Sequence, residues 1–199
     1  MAKIEARIIL LALLFPFLLD AAHILKNELL NPKASQIIEE IGNELLLKTG
    51  INEYVIATND PFPRGSSMFA YVEKYENNLS KPYVVFVFAP HDKRVGILPS
   101  SDEVKSLYDE KKVKNAAIDV VAGKDKNSDE AKYNVGIVQG FSELADQIGQ
   151  AKGVELTKTL PNETRFTINI FRVIVLSGTA FVLWIFIVRP IISRMKYGR

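Results

Sequence analysis

Apolar residues recur along this chain at different spacings, and each spacing predicts a different element. Residues 83–89, YVVFVFA, form a nearly unbroken apolar run, the pattern of a strand buried on both faces. A polar turn at 91–93 leads into a second strand over 94–98, and the two are expected to pair as a hairpin. Residues 53–58 read as a further strand. Helical spacing places Ile37, Ile38, Ile41, Leu45 and Leu46 on one stripe across 35–48, closed by Gly50. A second stripe, Val135, Val138, Phe141, Leu144, Ala145 and Ile148, predicts a helix over 131–148. Shorter helices are expected after the Pro- and Gly-rich turn 61–65, with Met68, Phe69 and Val72 inward, and over 115–122. Another follows Ser100, where Glu103 completes a capping-box pattern ahead of Val104, Leu107 and Tyr108. Helices that alternate with strands and cover both faces of a small sheet make an α/β sandwich.

Two further apolar runs have no place in such a core. Residues 166–188, FTINIFRVIVLSGTAFVLWIFIV, are apolar all around a helix, which at ~1.5 Å per residue is about 34 Å long and crosses a hydrocarbon core. Arg172 near one end can snorkel, and Trp184 and Phe186 sit near the other interface beside Arg189 and Pro190. The tail after it carries Arg194, Lys196 and Arg199 and no acid, which places the C-terminus in the cytoplasm. At the other end, Lys3 and Arg7 precede an apolar run over 8–19, the arrangement of an export signal. Two readings stand here: a cleaved signal peptide, or an uncleaved anchor continuing through Ala21, Ala22, Ile24 and Leu25. Asp20 interrupts the run and no small-x-small cleavage site follows, which favours the anchor.

The expected organisation is a signal anchor or signal peptide over 1–30, a periplasmic α/β domain over 31–151 and a polar linker over 152–165. A transmembrane helix over 166–188 and a basic cytoplasmic tail over 189–199 complete it. This places the chain in a bacterial inner membrane, with both termini cytoplasmic if the anchor is uncleaved. Ser177, Gly178, Thr179 and Ala180 form a small-residue patch through which another membrane helix could pack closely.

Composition narrows the chemistry. A formal net charge of +2, with acids and bases interspersed, provides no footprint for nucleic acid. Without cysteine there is no disulfide, thiolate nucleophile or thiolate metal site. His23 and His91 are the only histidines; the first is expected at the membrane edge and the second in a solvated turn. Two acidic groups offer hard oxygen ligands of the kind calcium takes: Asp125 with Asp129 and Glu130, and Asp92 with Asp102 and Glu103. Asn78 and Asn162 begin glycosylation-type sequons, and Asn78 also has Glu76 two residues upstream.

The KTG that ends the first long helix, the hairpin VVFVFAPHDKRVGI, the segment SLYDEKK and the closing YNVGIVQGFSELADQI resemble, in order and spacing, the TPM-domain family. The resemblance covers residues 32–151. It implies a TPM-like α/β fold on an exported, membrane-anchored chain, and an accessory or maintenance role at a membrane complex, as in thylakoid-lumen members associated with photosystem II. Phosphatase activity and calcium binding have been proposed for some members, and by the resemblance Asp92 and Asp109 match recurrent family acids that would bind the metal. The glycine-rich segment expected after the second hairpin strand reads ILPSSDEV here, and the Trp-Gly-x-Gly stretch before the central strand is replaced by YENNLSKPY, so the resemblance is to a degenerate version. The function expected is a non-catalytic accessory or stability subunit of a larger inner-membrane complex, a respiratory one being a candidate, with no resident cofactor. The alternative is a metal-assisted periplasmic phosphatase.

Overall fold

The computed structural model describes residues 22–62, 67–124 and 126–160, together with Thr179, Phe181, Trp184, Phe186 and Arg189. The chain divides into two units, Met1–Leu160 and Pro161–Arg199, and the fold below is that of the first. Among the described residues no helix is long and apolar enough to cross a membrane. Residues 8–19 lie outside the described residues, as do all of 166–188 apart from four exposed positions, Thr179, Phe181, Trp184 and Phe186.

The α/β class holds: one mixed four-stranded sheet carries helices on both faces. The strands are β1 (Ile24–Asn27), β2 (Asn52–Ala57), β3 (Tyr83–Ala89) and β4 (Arg94–Pro99), side by side in chain order. The first three are parallel, and β4 returns antiparallel to β3. Because side chains alternate along a strand, Val84, Phe86 and Phe88 of β3 face one core and Val85, Val87 and Ala89 face another. The larger core lies under α1 (Pro32–Thr49) and the long final helix. The smaller is covered by a short helix α2 (Met68–Val72) and the 3-10 segment Glu73–Asn78 that follows.

Local chemistry sets the helix boundaries. Asn31 caps α1 by accepting from the Ala34 amide at 2.9 Å, and Pro32 occupies the first turn, where its missing N–H is no loss. The helix therefore begins at Pro32, three residues before the expected Ser35. Gly50, at φ 73°, closes it in the left-handed conformation. The capping box expected from Ser100 is replaced by Ser101, which caps the four-residue α3 (Asp102–Lys105) and leaves Leu107 and Tyr108 beyond it. Asp109 caps α4 (Glu110–Ala122), so that helix begins five residues before the expected position. Ser128 caps the last helix, α5 (Asp129–Ala151).

Three expectations are corrected. Residues 24–27, assigned to an N-terminal anchor, form β1: the Val55 amide donates to the His23 carbonyl at 2.8 Å and the Glu28 amide to the Ala57 carbonyl at 2.9 Å. A parallel partner strand gives these residues backbone bonds that an anchor assignment overlooks. The folded unit thus includes His23 and β1 and is not confined to residues from 31 onward. The expected linker is likewise structured over 152–160. Its Thr157 and Lys158 amides donate to Glu44 of α1, and its Leu160 amide to Ser142 of α5 at 2.7 Å. Desolvation pushes the Glu44 carboxyl up, but Lys48, Thr157 and Lys158 outweigh it and hold it down to about 2. Finally, α2 buries Val72, while Phe69 is 69% exposed and Val135 of the expected α5 stripe is 52% exposed.

Helix α5 lies close against its neighbours because two positions lack a side chain. A Cβ on Gly140 would sit 2.5 Å from Phe86 Cζ and 2.9 Å from Ala117 Cβ, and one on Gly136 2.9 Å from the Ala117 carbonyl oxygen. Gly140→Ala is therefore expected to lower the unfolding free energy by about 1–3 kcal/mol, although alanine in a free helix gains ~1 kcal/mol over glycine. Urea unfolding followed by circular dichroism measures it, and a stabilised variant contradicts the close packing.

Candidate functional site

After β1 the chain turns into α1 on the larger-core face, whereas after β2 it turns towards α2 on the opposite face. Adjacent loops that diverge in this way open a crevice at the carboxyl ends of the strands, where ligands of open α/β sheets bind. Here that crevice is filled by the protein's own charges. Lys26 of β1 donates to Asp60 and, at 3.3 Å, to the Tyr71 hydroxyl, and its ammonium lies 2.9 Å from Glu28. Tyr71 of α2 donates to Asp60 at 2.7 Å, and Glu28 accepts from Thr58 at 2.8 Å and from the Asn59 amide at 2.7 Å. Desolvation pulls the Lys26 pKa down, but the bonds to Asp60, Glu28 and Tyr71 outweigh it and hold it above the ordinary lysine value. Lys26 in turn is the main cause that keeps Glu28 and Asp60 below the carboxylate range. The second ammonium, of Lys74, stands 4.9 Å over the Tyr71 ring. Each charge already faces a partner, so the arrangement holds the segments after β1 and β2 and helix α2 together.

Asp92, in the β3–β4 turn, accepts from the Phe62 amide and lies 3.0 Å from His91 Nδ1, while the Arg94 guanidinium stands 5.8 Å over the Phe62 ring. The Phe62 amide first, and His91 second, hold the Asp92 carboxyl below its usual range. Asp92 thus pins the loop after β2 to the hairpin. Asp109 accepts from the Lys111 and Lys112 amides at 3.0 and 3.2 Å, and its own amide donates to Gln147 at 2.6 Å. The two acids are not brought together. Asp92 joins β3 to β4 at the carboxyl end of β3. Asp109 follows β4, whose last residue Pro99 pairs with Val84 at the opposite end of β3.

The chain matches no protein-family model, and no curated protein matches it.

The remaining expected sites stay dispersed. His91 is exposed in the turn, as read from the sequence. Asp102 and Glu103 occupy the first turn of α3, away from Asp92, and Asp129 and Glu130 the first turn of α5; Asp125 lies outside the described residues. Among the described residues no group of three His, Asp or Glu side chains is placed to hold a metal ion. Asn78 is exposed at the end of the 3-10 segment, and Asn162 lies outside the described residues. Of the helix-packing patch only Thr179 is described; Ser177, Gly178 and Ala180 are not.

Two buried polar residues were missed. His23, expected at a membrane edge, is wholly buried: its Nδ1–H donates to the Glu53 carbonyl at 2.7 Å, and Nε2 lies 3.3 Å from Asn43 Oδ1. Its ring occupies space that only a glycine leaves open, since a Cβ on Gly42 would come within 2.4 Å of Cγ. Glu53 of β2 is also wholly buried, and among the described residues neither carboxyl oxygen has a hydrogen-bond partner. Strand alternation is the signal that could have found it, because Glu53 shares a face with the core residues Val55 and Ala57. Burial first, and Asp146 second, push its pKa well above the ordinary value, which favours the neutral form of the carboxyl in the core.

This raised pKa sets a direction. Between the ordinary carboxylate pKa and the raised folded value, the native state binds more protons than the unfolded chain, so stability falls as pH rises across that window. Glu53→Met is expected to abolish this slope and to stabilise the domain by about 1–3 kcal/mol at neutral pH. Thermal unfolding of both proteins across the acid-to-neutral range measures it; parallel pH profiles contradict the assignment.

Proposed function

We propose that this chain is a non-catalytic accessory subunit that joins a larger membrane complex through its α/β domain. The observation that carries the reading is the structural use of both acids of the enzyme alternative. Asp92 clamps the Phe62 amide and Asp109 caps α4, at opposite ends of β3. A metal-assisted phosphatase needs its carboxylates converging on one ion, with cationic or amide donors free to receive the phosphate. The filled crevice supports the same reading, because Lys26 is engaged by Asp60, Glu28 and Tyr71. Membrane attachment rests on the apolar runs at 8–19 and 166–188, and the accessory role on the TPM-like order of motifs. The partner is an integral membrane complex, a respiratory one being a candidate.

Membranes holding the full chain, solubilised in mild detergent and run on a native gel, are expected to show it in a species well above its own 22.3 kDa. The variant carrying Asp92→Ala and Asp109→Ala is expected to assemble likewise, with a stability loss of about 0.5–2 kcal/mol for the missing cap. Migration only as a free chain contradicts the proposal. So does hydrolysis of a phosphomonoester by the natural chain that the double variant loses.

A further inference from the structure

The sheet has two edges, and they are finished differently. Edge strands present unpaired backbone groups, which folded proteins blunt with short length, charge, irregular register or a cover. At β1 several of these devices coincide. The strand has four residues, its register slips between Ile24 and Lys26, Lys26 is charged and ion-paired, and the preceding His23 amide is taken by the Glu39 carboxylate. β4 has fewer of them: it runs six residues in regular register, and its one charge, Arg94, and its proline, Pro99, stand at its two ends.

The hydrogen-bond phase of β4 follows from its neighbours. The Thr58 amide donates to the Phe88 carbonyl, so the even-numbered residues of β3 turn their backbone groups towards β2 and the odd-numbered ones towards β4. The Ser100 amide accordingly reaches the Tyr83 carbonyl at 2.8 Å. In β4, therefore, Gly96 and Leu98 bond inward, while Val95, Ile97 and Pro99 turn outward. Pro99 is tolerated there because it has no N–H to present. Among the described residues no hydrogen bond reaches the outward backbone groups of Val95 or Ile97. Beside this edge, on the smaller-core face, lies a groove of about 130 Å³. It is lined by Phe69, Val72, Leu98 and Pro99 together with the exposed acids Glu73 and Glu76.

We infer that β4 is a docking edge for an extended segment of a partner protein, which adds as a fifth strand and presents an apolar side chain followed two residues later by a basic one. The outward groups of Val95 and Ile97 bond its backbone. Alternate side chains of an added strand fall on the groove face, so the apolar one enters between Phe69 and Leu98 and the basic one meets Glu73 and Glu76. The inference rests on the accessory reading and names the surface it would use.

The probe is a fluorescent eight-residue peptide, Thr-Leu-Thr-Lys-Thr-Leu-Thr-Lys, titrated into the full chain in nanodiscs and followed by anisotropy. Saturable binding is expected. N-methylation of alternate residues is expected to abolish it in one phase and leave it in the other, because only one edge of an added strand bonds the sheet. Glu73→Lys with Glu76→Lys, both at exposed positions, is expected to weaken binding about tenfold or more. Absent binding, equal effects of the two methylation phases, or indifference to the charge reversal overturns the inference. A dimer of the full chain that buries β4 and excludes the peptide overturns it as well. If the native complex survives the charge reversal, the accessory reading stands and this surface falls; absence of any complex removes the accessory reading itself.

Discussion

Strand β3 has no polar face, and the rest of the domain is arranged around that constraint. Phe86 and Val85 are both fully buried although they point in opposite directions. A sheet whose central strand is apolar on both sides is stable only when both sides are covered. On one side this brings in α1, α4 and α5, the last drawn against Phe86 through Gly140. On the other side a much smaller cover suffices, from α2, the 3-10 segment and Phe62.

Covering both faces has consequences at the strand ends. Successive connections leave the sheet on opposite faces, which opens the crevice between β1 and β2. The mutual ion pairs of Lys26, Glu28 and Asp60 close it again. Helix α1 then holds both ends of the described domain: Glu39 receives the His23 amide where β1 begins, and Glu44 receives the Thr157 and Lys158 amides where the chain leaves α5. Lys26, Glu28, Asp60 and Glu44 thus serve as internal fastenings of the domain. At the second sheet edge, no hydrogen bond among the described residues reaches the outward backbone groups of Val95 and Ile97.

Much of this architecture was legible in the sequence. The β3 run, the hairpin, the α1 stripe and most of the α5 stripe are dictated by apolar spacing, a signal that survives whatever the tertiary context does. The elements at the margins were not. β1 offers four residues, one of them Lys26, and was absorbed into the neighbouring apolar run; its identity depends on hydrogen bonds to β2, which no local pattern encodes. Residues 152–160 read as polar because their role is to give amides to Glu44, a contact across more than a hundred residues of sequence. The candidate acids illustrate the same limit. Asp92 and Asp109 stand out as polar residues near turns, yet an amide-binding carboxylate and a metal-binding one look alike until the fold shows whether they converge. Glu53 could have been placed in the core by alternation alone, since it keeps step with Val55 and Ala57.

Residue-resolved amide hydrogen exchange of the full chain tests the central claim, that one sheet runs from β1 to β4 with the outward amides of Val95 and Ile97 unbonded among the described residues. The account predicts protection of the β2 amide of Val55, bonded to His23, comparable to that within β3, showing that β1 belongs to the cooperative unit. It also predicts alternation along β4, with Gly96 and Leu98 protected and Val95 and Ile97 exchanging fast. Exchange at Val55 as in an unfolded chain, or uniform protection across Val95–Leu98, would contradict it.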